Sequence, residues 1–216
     1  MQSESIIDLG QSSDKGLKTD NEDSYGVLLP ESPVLEQKGV AAVIADGVSG
    51  CDAGKLASES CVKSLLGDYY CTPDTWTVKT SVQKVLTATN RWMLGMAQQG
   101  GANQKGLATT MSALVKSSTV HLFHIGDTRI YRIRDKQLEL LTDDHRFWVS
   151  KEKNYLTRAI GIDLHLEIDY SHFLLEEGDT FLFTTDGVHE FVSDNIMLAQ
   201  VNNNTDNFDR AARNIT

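Results

Sequence analysis

Two Asp-Gly pairs, each leaving an apolar strand-like run, constrain this chain most. They are Val43-Ile44-Ala45-Asp46-Gly47 and Phe183-Thr184-Thr185-Asp186-Gly187. A strand that ends in a carboxylate and then a glycine delivers a hard oxygen ligand to a fixed place, and the glycine lets the backbone turn away and offer its own carbonyl. A single Asp-Gly is ordinarily a turn. Here the first follows the apolar run 40–45 and precedes a loop of small residues, 48–54, that opens a helix. Two such ends meeting from distant parts of the chain would make a site for magnesium or manganese. That points to metal-assisted hydrolysis, with a phosphate ester as the expected substrate.

The remaining bulk properties narrow the class. At 216 residues the chain fits one large domain or two small ones, and is long enough for a real core. A formal charge of −10 argues against a nucleic-acid partner, which would ask for a basic patch. Cys51, Cys61 and Cys71 are odd in number and contain no CxxC pair, so neither a disulfide framework nor a zinc site is expected. A reducing cytoplasm is the simplest home. The N-terminus is polar, and no run approaches the roughly 18 apolar residues of a membrane span, so no membrane contact by this segment is expected.

Strand-like runs occur at 6–10, 24–29 and 40–45. A helix is expected from about Ala53 to Tyr69, with Leu56, Val62, Leu65, Leu66 and Tyr69 on one face. Pro73 can open a second helix through Met96, on which Val78, Val82, Val85, Trp92 and Met93 recur at helical spacing. Residues 109–115, 119–125, 129–133 and 137–141 then read as an antiparallel meander, continued by 168–174 and 180–185. Ser193 can cap a helix from Asp194 to about Val201, and a last helix runs from Asp206 to Ile215. Strands clustered around helical hairpins without βαβ alternation predict an α+β fold with antiparallel sheets.

Other polar segments are weaker singly. Thr19-Asp20-Asn21-Glu22-Asp23 holds three carboxylates in four residues and reads either as a solvated acidic turn or as a group that holds metal-bound waters. His124-Ile125-Gly126-Asp127-Thr128-Arg129 has the chemistry of a hairpin turn. Taken together, six segments occur in one order: GLKTDNEDS (16–24), VIADGVSGCDAGKLAS (43–58), GLATTMSALV (106–115), HIGDTRIYRIRDKQLELLTDDH (124–145), LTRAIG (156–161) and GDTFLFTTDGV (178–188). On these motifs the chain resembles the metal-dependent protein phosphatases of type 2C in their bacterial form, over nearly its whole length.

The resemblance implies two packed antiparallel β-sheets flanked by helical hairpins, an α-β-β-α sandwich in a single domain. It implies hydrolysis of phosphoserine and phosphothreonine in proteins by a metal-activated water. Two divalent cations, Mn²⁺ or Mg²⁺, are expected, and a third, weaker one. By motif match Asp46 would bridge the pair, the carbonyl of Gly47 would bind one ion, and Asp186 would bind on the other side. Glu22 and Asp23 would hold metal-bound waters, and Asp127 would contribute to the third ion. The expected partners are phosphoprotein substrates and a cognate Ser/Thr kinase. No serine, cysteine or histidine nucleophile is needed, and no G-x-S-x-G elbow is present. His189 follows the second Asp-Gly pair at a distance that could reach the site.

Four departures qualify that picture. Lys18 stands where the family usually carries a phosphate-binding arginine, so the bidentate fork is lost. Val48 follows the first Asp-Gly pair, where eukaryotic members often have a histidine. Only about a dozen residues separate Asp144-His145 from Thr157-Arg158, a shorter flap than usual, with Phe147 and Trp148 as its aromatic edge. The chain stops at Asn214-Ile215-Thr216, where the family's Gly-x-x-Asp-Asn segment and last strand would begin, so a missing strand and a missing ligand are expected. These departures keep a rival open: a weakly active or inactive phosphatase-like domain that binds a signalling partner such as a kinase.

Overall fold

The antiparallel meander predicted from the short β-prone runs forms, and it divides between two sheets. The structure, a computed structural model, describes residues 7–48, 53–99, 108–117, 119–150 and 153–216. In chain order the elements begin with β1 (Asp23–Leu28), a one-turn helix α1 (Val34–Lys38), β2 (Val40–Gly47), α2 (Gly54–Asp68) and α3 (Val78–Gln99). Then come β3 (Thr109–Lys116), β4 (Val120–Ile125), β5 (Arg129–Arg134), β6 (Gln137–Leu140), β7 (Arg146–Ser150), β8 (Lys153–Leu156), β9 (Asp169–Phe173) and β10 (Thr180–Thr184). The chain closes with α4 (Asp186–His189), α5 (Asp194–Asn203) and α6 (Phe208–Ile215).

Five strands pair in the order β1-β2-β3-β4-β9 and three in the order β10-β5-β6, all antiparallel, with β7 and β8 as a separate hairpin. Strands β2 and β3 are buried along almost every residue because both faces of their sheet are covered. On one face lie α2 and α3, and Ala57, Cys61, Leu65, Leu86 and Met93 meet Val43, Met111 and Phe123 there. On the other face Leu114, Val120 and Leu122 meet Ile130, Phe181 and Phe183 of the second sheet. That sheet packs outward on α5 and α6 through Tyr131, Ile133, Met197, Val201 and Ile215. The result is the four-layer α-β-β-α sandwich that the sequence led us to expect.

Some boundaries and faces differ from the expectation. Residues 7–10 form no strand; Gly10 lies against the backbone of Phe208 and the Gln11 N–H goes to Asp209 Oδ1 at 3.0 Å, so this segment braces the start of α6. The second helix begins at Val78 rather than Pro73, because Thr77 Oγ1 accepts the Thr80 N–H at 3.1 Å and closes its first turn. Leu56 and Trp92, read as core-facing, are 46% and 44% exposed. Ser193 occupies the N-cap position of α5, but its hydroxyl makes no capping hydrogen bond. The loop around Cys51 and the Gly100–Asn103 break lie outside the described residues.

No helix among the described residues is long and apolar enough to cross a membrane.

Candidate metal centre

Register brings the acidic residues together. In the β1–β2 ladder Asp23 lies opposite Asp46, so a residue from the early acidic turn faces the carboxylate at the end of the central strand. Antiparallel neighbours of this kind stand about 5 Å apart at Cβ. Like charges at that spacing repel unless a cation or a proton intervenes. Asp46 is 8% exposed, and burial together with the charges of Asp23, Asp186 and Asp127 pushes its carboxyl up to about 9, against the weaker pull of Lys18. Burial also raises Asp23, while hydrogen bonds from Thr185 and with Asp46 oppose the rise.

The backbone around Asp46 is fixed from three sides. Its carbonyl accepts from Thr109 Oγ1 at 2.7 Å. The N–H of Gly47 donates to the Glu22 carbonyl at 3.2 Å, and Ser58 Oγ donates to the same carbonyl at 2.5 Å. A Cβ on Gly47 would stand 2.4 Å from the carbonyl carbon of Gly54, and one on Gly54 would stand 2.5 Å from Glu22 Oε1. The end of β2 and the start of α2 therefore meet backbone to backbone, and the Glu22 carboxylate rests over that junction. Lys18 is exposed in the preceding turn, close enough to attract both Asp23 and Asp46.

The second Asp-Gly pair arrives from the other sheet. Strand β10 ends at Thr184, Thr185 takes the N-cap position in extended conformation, and Asp186 is the first residue of α4. Thr185 Oγ1 donates to Asp23 Oδ2 at 2.9 Å and ties that end to the first sheet. A carboxylate in the first turn also suits the positive end of the helix.

Asp127 follows Gly126 in the β4–β5 turn and is 7% exposed. Gly126 has φ +103°, and a Cβ there would stand 2.3 Å from Thr110 Cβ, so only glycine fits. The turn is braced by His145, whose Nδ1 accepts the Gly126 N–H at 3.0 Å and whose own N–H donates to the Gly126 carbonyl at 2.7 Å. With Nδ1 accepting, the ring proton sits on Nε2 and donates to Asp169 Oδ2 at 2.9 Å.

One residue here carried no sequence signal. Arg146, directly after His145, has a side chain 8% exposed. Its Nε and Nη2 each stand 2.6 Å from Asp127 Oδ2, its Nη2 is 3.1 Å from Asp186 Oδ2, and its Nη1 pairs with Glu190. An arginine beginning a β-hairpin is common, and only the fold reveals what it faces. His189 turns to Thr184 Oγ1, 3.0 Å from its Nδ1.

Asp23, Asp46, Asp127 and Asp186 thus converge from β1, β2, the β4–β5 turn and α4, with Glu22 and Lys18 at the margin. Among the described residues no three His, Cys, Asp or Glu side chains close on one point as the full shell of a single ion. Magnesium does not ask for such a cage, since it keeps several waters and takes one or two carboxylates. The donor set is all oxygen, and mutually repelling carboxylates, with Asp46 and Asp127 both buried, fit hard divalent cations.

A model of the protein phosphatase 2C family matches residues 18–214. The serine/threonine phosphatase stp of Listeria monocytogenes serotype 4b is 28% identical over 206 residues, covering 85% of this chain and 79% of its own length. A putative protein phosphatase of 2C type from Streptococcus pyogenes serotype M6 is 30% identical over 177 residues, covering 73% of this chain and 71% of its own. Among solved structures, the serine/threonine phosphatase Stp1 of Staphylococcus aureus superposes with a TM-score of 0.75 at 22% identity, over 91% of this chain and 85% of that one. The catalytic domain of the phosphatase PstP, in complex with two manganese ions, gives a TM-score of 0.73 at 22% identity, over 96% and 86% of the two chains.

Proposed function

The chain belongs to the protein phosphatase 2C family, and from that premise we propose that it hydrolyses phosphoserine and phosphothreonine in proteins with a pair of divalent cations at the four-aspartate cluster. The observation that carries this reading is the burial of Asp46 among Asp23, Asp127 and Asp186, an arrangement that repels itself without added positive charge. Asp46, the Gly47 carbonyl and Asp186 would hold the ions directly. Glu22 and Asp23 would act through water. When bound, such a pair ionises a shared water and neutralises charge on the phosphoryl oxygens. Mn²⁺ fits the donor set, as does Mg²⁺, and a manganese-bound relative supports the former.

The chain's own residues do the rest. Thr185 and the β1–β2 register keep Asp23 turned toward Asp46. The contact of Gly47 with Gly54 fixes the angle at which the Gly47 carbonyl leaves the strand. Lys18, exposed beside the cluster, attracts the phosphate dianion as a point charge without the two-pronged grip of arginine. The cytoplasm is the proposed compartment, and a Ser/Thr kinase whose phosphorylated sites the enzyme reverses is the proposed counterpart.

The test is a substrate panel with Mn²⁺ present: a phosphothreonine peptide, a phosphotyrosine peptide, p-nitrophenyl phosphate and a nucleoside triphosphate. Preferential release of phosphate from the phosphothreonine peptide supports the reading. Release from the nucleotide alone, or from none of the four, overturns it.

A further inference from the structure

Among the described residues Arg146 is the one cationic side chain bonded to the cluster, and it is enclosed by it. Its guanidinium reaches Asp127 through two nitrogens, Asp186 through one and Glu190 through another, with its side chain 8% exposed. The three carboxylates come from separate places, the β4–β5 turn, the first residue of α4 and the residue after α4. The three carboxylates ring the guanidinium rather than close on one point as an ion's full shell, yet each is a hard oxygen donor of the kind a divalent cation takes together with water. Guanidinium is planar, permanently charged and carries five donors, so one arginine can serve all three.

We propose that Arg146 is a resident cation of the site: it occupies with covalently attached charge the place between Asp127, Asp186 and Glu190, and so keeps a divalent ion out of it. Asp127 is then a partner of arginine and not a metal ligand, contrary to the third-ion role that the resemblance implies. Asp186 is held at Oδ2 by Arg146. This inference rests on the proposed metal site only for Asp186, which the two share. Removing one partner of an enclosed ion group leaves uncompensated charge. Taking away the guanidinium leaves three carboxylates facing one another, and a cation from solution is the nearest remedy.

The experiment counts Mn²⁺ bound per chain, from the loss of the free-ion electron paramagnetic resonance signal, for the 216-residue protein and its variants. Arg146→Ala should bind one Mn²⁺ more than the unaltered protein. Asp127→Asn alone should leave the count unchanged, and Arg146→Ala with Asp127→Asn should lose the gained ion. An Arg146→Ala count equal to that of the unaltered protein overturns the proposal, as does a gain that survives Asp127→Asn. Should Arg146→Ala fail to fold by circular dichroism, Asp127→Asn decides: a lost ion contradicts the resident-cation role, and an unchanged count upholds it. An unaltered protein that binds no Mn²⁺ would sink the proposed metal pair, whereas the difference between it and Arg146→Ala still judges Arg146.

Discussion

Lys18 and His124 show how single residues set measurable properties here. Lys18 attracts Asp23 and Asp46 from an exposed position, so its contribution to a phosphate is long-range and solvent-screened. Lys18→Ala is expected to raise KM for a phosphothreonine peptide by roughly three- to tenfold while changing kcat less, as the loss of an interaction present in both ground and transition states should. An unchanged KM in steady-state assays would remove Lys18 from substrate binding. His124 is buried, with Nε2 donating to the Asp143 carbonyl at 2.9 Å and Nδ1 taking the Ser112 hydroxyl at 2.8 Å. Burial, reinforced by the neighbouring His145, lowers it to about 4. Because its folded pKa lies below the unfolded value near 6.5, the unfolded chain binds the extra proton. Stability from this residue is therefore complete above about pH 6.5 and is lost as pH falls toward 4, by up to about 3 kcal/mol. Urea midpoints at pH 7 and pH 5 should fall further apart for the unaltered protein than for His124→Asn. Equal differences for the two proteins would show that His124 is not titrating in this way.

At the scale of elements, the site depends on where β2, α2 and α4 begin and end. Gly47→Ala would place a methyl group 2.4 Å from the Gly54 carbonyl carbon, and backbone cannot yield as a side chain does. A loss of roughly 1–3 kcal/mol is expected from this overpacking, measured by chemical denaturation, with catalytic turnover falling more steeply than stability. On the covering layer, Leu65 and Leu86 are fully buried between α2, α3 and the first sheet. Leu65→Ala should cost about 2–5 kcal/mol from the cavity left behind, and a change under about 0.5 kcal/mol would mean that α2 is not packed as described. These elements were largely legible in the sequence, because strands buried on both faces leave continuous apolar runs such as 40–45, and α2 and α3 leave a 3.6-residue period. The short elements α1, α4 and the β7–β8 hairpin were not. Each is too brief for a period to register, and Phe147 and Tyr155, a facing pair in the hairpin, are 62% and 52% exposed, so no burial pattern marks them.

Across the whole molecule, charge and topology act together. A chain with 30 acidic and 20 basic residues gathers four aspartates at one end of a sandwich whose two sheets meet through Leu114, Leu122, Ile130 and Phe183. Asp46 and Asp186 were recognisable from their Asp-Gly context because each lies at or just past the end of an apolar strand, β2 buried and β10 half-buried. Their meeting depends on the sheets facing each other, which local sequence does not encode, and the six ordered motifs supplied it only by resemblance. The role of Arg146 was hidden for the same reason: its partners lie 19, 40 and 44 residues away in the chain. The central claim is that Asp46 helps to hold divalent cations without which phosphate is not released. Its most direct test is p-nitrophenyl phosphate hydrolysis over a Mn²⁺ titration, for the unaltered protein and for Asp46→Asn, each with and without excess EDTA. The account predicts activity that rises with Mn²⁺, disappears in EDTA, returns on adding Mn²⁺ back, and falls at least about a hundredfold in Asp46→Asn. Activity that persists in EDTA, or an Asp46→Asn variant as active as the unaltered protein, would contradict it.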